Sequence, residues 1–71
     1  MKKIPRKYKR FNKMSDDDFK RFMMNNYGVE VVKNNNGYYD VFTYFGRKII
    51  TADSKDMIVC WLDIENKMKN Y

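Results

Sequence analysis

Residues 29–52 read VEVVKNNNGYYDVFTYFGRKIITA, and their reading decides the fold. β-branched and aromatic residues fill the stretch, and glycine-containing clusters at 34–37 and 46–47 interrupt it. This pattern predicts three strands, at 29–34, 38–45 and 48–52, joined as an antiparallel meander. Asn36-Gly37 suits a two-residue type I′ turn, which wants positive φ at both positions, and Gly46-Arg47 suits type II′ with Gly first. A two-residue first turn sets Lys33 opposite Asp40, a favourable cross-strand pair. A three- or four-residue loop sets Asp40 opposite Val32 or Val31 instead. The two-residue register sorts the side chains. Val29, Val31, Phe42, Tyr44, Ile49 and Thr51 then line the core face. Glu30, Val32, Tyr39, Val41, Thr43, Phe45, Lys48, Ile50 and Ala52 line the other.

Helical signals flank the strands. In Met14-Ser15-Asp16-Asp17-Asp18-Phe19, Ser15 is an N-cap whose hydroxyl accepts from free N–H groups of the first turn. The three aspartates sit where the positive end of the helix dipole favours them. Ser15 and Asp18 have capping-box spacing, and Met14 and Phe19 have that of a hydrophobic staple. Phe19, Phe22, Met23 and Tyr27 recur at helical intervals, and Gly28 supplies the stop, so a helix is expected at about 16–27. After Asp53 or Ser54 as cap, Met57, Trp61, Ile64 and Met68 form a second stripe, widened by Ile58 and Cys60, with Lys67 and Lys69 in the last turn. The expectation is an α+β fold, α-β-β-β-α, with a three-stranded antiparallel meander and both helices on one face.

The charge is unevenly placed. The 71-residue chain carries a formal +6, yet its first thirteen residues hold seven Lys or Arg and no acid, leaving the remainder at −1. The chain therefore divides into a basic N-terminal arm, 1–13, and a single α+β domain, 14–71. Lys2, Lys3, Arg6, Lys7, Lys9, Arg10 and Lys13 are suited to phosphate, with Tyr8 and Phe11 available to stack on bases. If Pro5 opens a helix, Ile4, Tyr8 and Phe11 share one face opposite the bases. Three readings of the arm stand together: a contact to DNA, RNA or a nucleoprotein, a contact to a membrane surface, or a solubilising tail.

Composition weighs against catalysis. The chain has no histidine, so Ser-His and Cys-His pairs are excluded. Ser15 and Ser54 are explained as caps, and Cys60, the one cysteine, lies beside Trp61 on the core flank of a helix. Three consecutive helical aspartates diverge by about 100° each and do not converge on a cation. The glycines sit in turns and a cap, so there is no phosphate loop. No enzyme activity, cofactor or metal is expected. No apolar run approaches the ~18–20 residues of a transmembrane segment, and the single cysteine fits a reducing cytoplasm.

The second sheet face is more apolar than solvent exposure favours, since a patch of several hundred Å² is unusual on a soluble monomer. Val32, Tyr39, Val41, Phe45, Lys48 and Ile50 mark it as a partner or dimer face. Three occupants fit: the arm folded back through Ile4, Tyr8 and Phe11, a second copy of the chain, or a binding partner.

Three resemblances bear on function. The stretch GYYDVFTYF resembles the aromatic strands of RNA-binding sheets, with Tyr39 and Phe45 on one face, although it carries no Lys/Arg-Gly-aromatic run. The order α-β-β-β-α over 15–69 resembles the double-stranded-RNA-binding domain. That family has a basic cluster at the start of its second helix, where this chain has Asp53-Ser54-Lys55-Asp56. The small size and the abundance of Lys, Asn, Tyr, Ile and Phe, all encodable by A and T alone, resemble accessory proteins of phages of low-GC Gram-positive bacteria. That likeness implies a cytoplasmic protein of the host-takeover or anti-defence kind. It would block a host protein or nucleoprotein, CRISPR effectors included, by stoichiometric binding. The alternative is a small nucleic-acid-binding regulator or packaging protein that uses the basic arm.

Overall fold

The computed structural model describes residues 4–69, with side chains through Glu65. A 3₁₀ helix (Arg6–Lys13) leads into α1 (Asp16–Tyr27), three strands, β1 (Val29–Lys33), β2 (Tyr39–Thr43) and β3 (Lys48–Ala52), and α2 (Lys55–Lys69). The strands form one antiparallel sheet in the order β1-β2-β3. The architecture is α+β, as expected, with the 3₁₀ helix as an added element. Lys2 and Lys3 lie outside the described residues, as do the side chains of Lys67, Met68 and Lys69.

Helix α1 forms where its signals place it. The Ser15 hydroxyl accepts from the Asp18 N–H at 3.1 Å, and Asp16, Asp17 and Asp18 fill the first turn. Gly28 closes the helix at φ +67°, a left-handed conformation that costs a residue with a Cβ about 1–2 kcal/mol. Phe19 and Met23 are fully buried, and Met14 packs against the same core.

The register differs from the two-residue reading. Lys33 faces Tyr39 and Val32 faces Asp40. The Gly37 N–H donates to the Asn34 carbonyl and the Asn34 N–H to the Tyr38 carbonyl, enclosing a three-residue loop with Gly37 at φ +83°. This is a tight turn followed by a left-handed glycine, the next most common hairpin closure. The deciding group is the Asn34 side chain, whose Oδ1 accepts from the N–H groups of Asn36 and Tyr38. The second turn repeats the pattern over Tyr44, Phe45 and Gly46. Thr43 N–H donates to Arg47 carbonyl, Gly46 N–H to Thr43 carbonyl, and Gly46 sits at φ +88°. Strand β2 is accordingly shorter than 38–45.

A one-residue change of register exchanges the faces of a strand. Val31 pairs with Val41, so Val41 joins Val29 and Val31 beneath the helices, together with Ala52. Phe42 turns to the opposite side. A bulge at Val41/Phe42 sets Val41 against Ile50 and Phe42 against Lys48, leaving Ile49 as the extra residue. Both isoleucines are half-buried. The open face now carries Glu30, Val32, Asp40, Phe42, Lys48 and Thr51 and is mixed in character. Asp40 accepts from Thr51 Oγ1 at 2.7 Å and has Lys48 Nζ at 4.0 Å.

Helix α2 is buried more broadly than one stripe. Ile58, Val59, Cys60 and Leu62 are buried, Met57 and Trp61 half-buried, and Ile64, expected inside, is 43% exposed. The cause is its position. The sheet packs on one side of α2 and the 3₁₀ helix on another, so its apolar arc exceeds the ~100° of a helix covering a single layer.

Candidate binding surface

The 3₁₀ helix is the element on which the charge question turns. It has three residues per turn, so side chains three apart stack in rows. One row, Tyr8 and Phe11, faces the protein and is buried, and Met14 just beyond the helix continues it against the core. A second row is Lys7, Arg10, Lys13, and a third is Arg6, Lys9, Asn12. All six of these side chains are exposed. The sequence thus writes an anchored inner edge and two outer edges rich in cations.

Anchoring is specific. The Tyr8 hydroxyl donates to Asp63 Oδ2 at 2.7 Å, and Tyr27 donates to Oδ1 of the same carboxylate at 2.6 Å. The hydrogen bond to Asp63 first, then burial, push the Tyr8 phenol up to about 12. Burial first, then Asp63, raise Tyr27 as well. Phe11 meets Phe19 edge-on at 6.3 Å and Phe22 at 5.2 Å. Asn12 Oδ1 accepts from the Asp56 N–H at the start of α2. Burial opposes ionisation of Asp56, but the Ser54 hydrogen bond, aided by Lys9 at 3.9 Å, holds its carboxyl below the usual range. These contacts belong to the same core as the sheet and helices, so the boundary at 13/14 marks a change of charge, not a break in packing.

Of the residues expected to meet phosphate, Arg6, Lys7, Lys9, Arg10 and Lys13 stand together on this outer surface. Lys7 and Arg10 lie over the rings of Tyr8 and Phe11 at 5.2 and 4.8 Å, which keeps their stems close to the helix. Tyr8, grouped with them for base stacking, faces inward to Asp63 instead. The six residues expected to form a second face are separated. Val41 is fully buried, and Tyr39 and Ile50 are half-buried beneath the helices. Val32 and Lys48 lie on the open face, and Phe45 is in the β2–β3 turn. Tyr39 has a different role, donating to Asp16 Oδ1 at 3.0 Å. The same oxygen takes Lys55 Nζ at 3.0 Å, and that amine also donates to the Met14 carbonyl.

A second surface was not legible in the two-residue register. Tyr44 and Phe45 form the tip of the β2–β3 turn, 76% and 88% exposed, with rings stacked at 4.8 Å and 23°. The available signal was Gly46, which fits the last position of a three-residue loop as well as the first of a two-residue one. Beside the turn, Arg47, Ile49, Trp61 and Glu65 border a shallow groove of about 360 Å³. Among the described residues no group of His, Cys, Asp and Glu is placed to hold a metal ion, and no helix is long and apolar enough to cross a membrane. Comparison with protein-family models, curated proteins and solved structures returned no match.

Proposed function

We propose that this protein is a non-enzymatic binding protein that engages a phosphate-bearing partner, nucleic acid or a host nucleoprotein, through the outer rows of the 3₁₀ helix. It acts by occupying that partner stoichiometrically, in the manner of a cytoplasmic phage accessory protein of the anti-defence type. One observation carries the reading. Five cations share the exposed surface of a helix whose other edge is locked by Tyr8 and Phe11. A solubilising tail has no need of such anchoring. The absence of histidine, the structural roles of Ser15 and Ser54 and the burial of Cys60 support a role without catalysis.

Binding to duplex DNA across a salt series tests it. Four to six phosphate contacts give a slope of log K against log salt of roughly −4 to −5. A slope near zero, or no binding at low salt, sinks the reading.

A second reading, block of a host protein without nucleic acid, draws on the exposed Tyr44–Phe45 pair, because aromatic residues are enriched at interface hot spots. Capture from host lysate with and without nuclease separates the two. A partner retained after nuclease treatment favours the second.

A further inference from the structure

Tyr44 and Phe45 occupy turn positions where small polar residues are usual. The fold makes its demands on their neighbours. Thr43 closes the turn through its backbone and accepts the Arg47 N–H on Oγ1 at 3.1 Å, and Gly46 supplies the positive φ. Both rings are largely exposed and stack on each other, so each has an outer face turned to solvent. Arg47 and Lys48 follow directly, both exposed, and among the described residues Arg47 makes no ion pair.

We propose that this turn is a stacking platform for unpaired nucleobases. Bases of a single strand lie on the outer faces of the Tyr44–Phe45 pair, and Arg47 and Lys48 take the flanking phosphates. The occupant follows from charge and shape. Flat π surfaces beside Arg47, without an ion pair among the described residues, and Lys48, held only at 4.0 Å from Asp40, match a ligand of flat bases joined by anionic links. An apolar peptide would cover the rings and leave Arg47 without a counter-charge. A duplex hides its base faces inside the stack, and exposing them costs a few kcal/mol. This proposal rests on the phosphate-binding reading and adds to it a preference for single strands.

The test uses the full chain with oligo-dT, oligo-U and a DNA duplex of matched length, by fluorescence anisotropy at low salt. Wild type is expected to bind single strands more tightly than duplex. Tyr44→Ser with Phe45→Ser, which removes both faces, is expected to weaken single-strand binding by at least the roughly 5- to 150-fold of a single stacked base, and to leave duplex binding unchanged. The dT and U arms show whether DNA or RNA is preferred. Lys7→Gln with Arg10→Gln and Lys13→Gln is expected to weaken every probe. Wild-type binding to all probes with no effect of the turn variant overturns the platform and leaves the phosphate reading intact. No binding of any probe overturns both. Loss of a nuclease-resistant protein partner from the turn variant, with single-strand affinity unchanged, identifies the pair as a protein anchor instead. Both rings are exposed, so the variant is expected to melt with wild type, which a thermal transition checks.

Discussion

The Tyr8 hydroxyl donates to Asp63 at 2.7 Å across a separation of 55 residues. It ties the N-terminal 3₁₀ helix to the second half of α2, and Tyr27 ties α1 to the same carboxylate. Tyr8→Phe keeps the ring and removes the bond. A hydrogen bond to a charged group contributes about 1.5–3 kcal/mol, so urea denaturation should show a loss in that range with unchanged slope. Phe11→Ala removes a fully packed ring and should cost more, about 3–5 kcal/mol. Equal stability of Tyr8→Phe and wild type would mean that the carboxylate is satisfied by water.

The same cluster gives an alkaline limit. Tyr8 is raised to about 12, and Tyr27 is raised as well. An unfolded tyrosine ionises near ~10. Above that pH the unfolded chain releases protons that the folded protein holds, so stability falls as pH rises. It is fully present below about 10 and should be lost between about 10 and 12. Absorbance titration should show phenols that ionise late and together with unfolding. Tyr27→Phe should reduce the pH slope. Early, non-cooperative ionisation of all tyrosines would contradict the buried cluster.

An acid limit arises at the other end of the 3₁₀ helix. Lys55, then Tyr39, hold the Asp16 carboxyl below its usual range. A depressed carboxyl contributes stability above its unfolded value of about 3.9 that is lost as pH falls through the folded value. Asp16→Asn should therefore destabilise at neutral pH, and the difference from wild type should shrink to nothing in strong acid. Lys55→Met, which removes the buried amine together with its need for a partner, should cost less than Lys55→Ala. Thermal melts at neutral and acid pH check both statements. A constant gap between Asp16→Asn and wild type at every pH would exclude the ion pair as its source.

The elements whose signals are local were legible in the sequence. Helix α1 has its cap, its acidic first turn and its glycine stop within residues 15–28. Strand order was equally plain from β-rich segments between glycines. Register was not, because Asn36-Gly37 and Gly46-Arg47 each fit two loop lengths. The choice was made by the Asn34 side chain and by packing of Val31 against Val41. The breadth of burial on α2 was also hidden, since it depends on a segment more than forty residues away. In the binding surface the cations were legible by charge alone. The exposed tip at Tyr44 and Phe45 was not, since it exists only in the longer loop.

Loop length can be checked directly. Gly37 and Gly46 hold φ of +83° and +88° with open space where a Cβ would stand. Gly37→Ala and Gly46→Ala should each cost about 1–2 kcal/mol through backbone strain alone. Asn34→Ala should cost a further ~1 kcal/mol by removing two side-chain hydrogen bonds of a turn. Gly37→Asn, which tolerates the left-handed region better than alanine, should recover part of the loss. Chemical denaturation provides the numbers. Among the described residues positive φ falls only on glycines, so Asn36→Ala should cost little; a loss there as large as that of Gly37→Ala would point to the two-residue turn, which needs positive φ at both positions.

Deletion and charge removal should separate the two edges of the 3₁₀ helix. Removing residues 1–13 takes away Tyr8 and Phe11 and uncovers Val59 and the Asp63 carboxylate, which line the groove beside them. The remaining chain would expose apolar surface and lose a tertiary hydrogen bond, so its cooperative transition should weaken sharply or vanish. Lys7→Gln with Arg10→Gln and Lys13→Gln leaves that inner edge intact and alters one exposed row. Its melting temperature should stay close to wild type, because surface substitutions are usually within about ±0.5 kcal/mol. Its slope of log K against log salt on duplex DNA should flatten by about 2 to 3, the share of three phosphate contacts. A folded deletion variant that still binds DNA with the wild-type slope would place the phosphate contacts elsewhere. A charge variant that unfolds would show that the outer row serves the fold and not a partner.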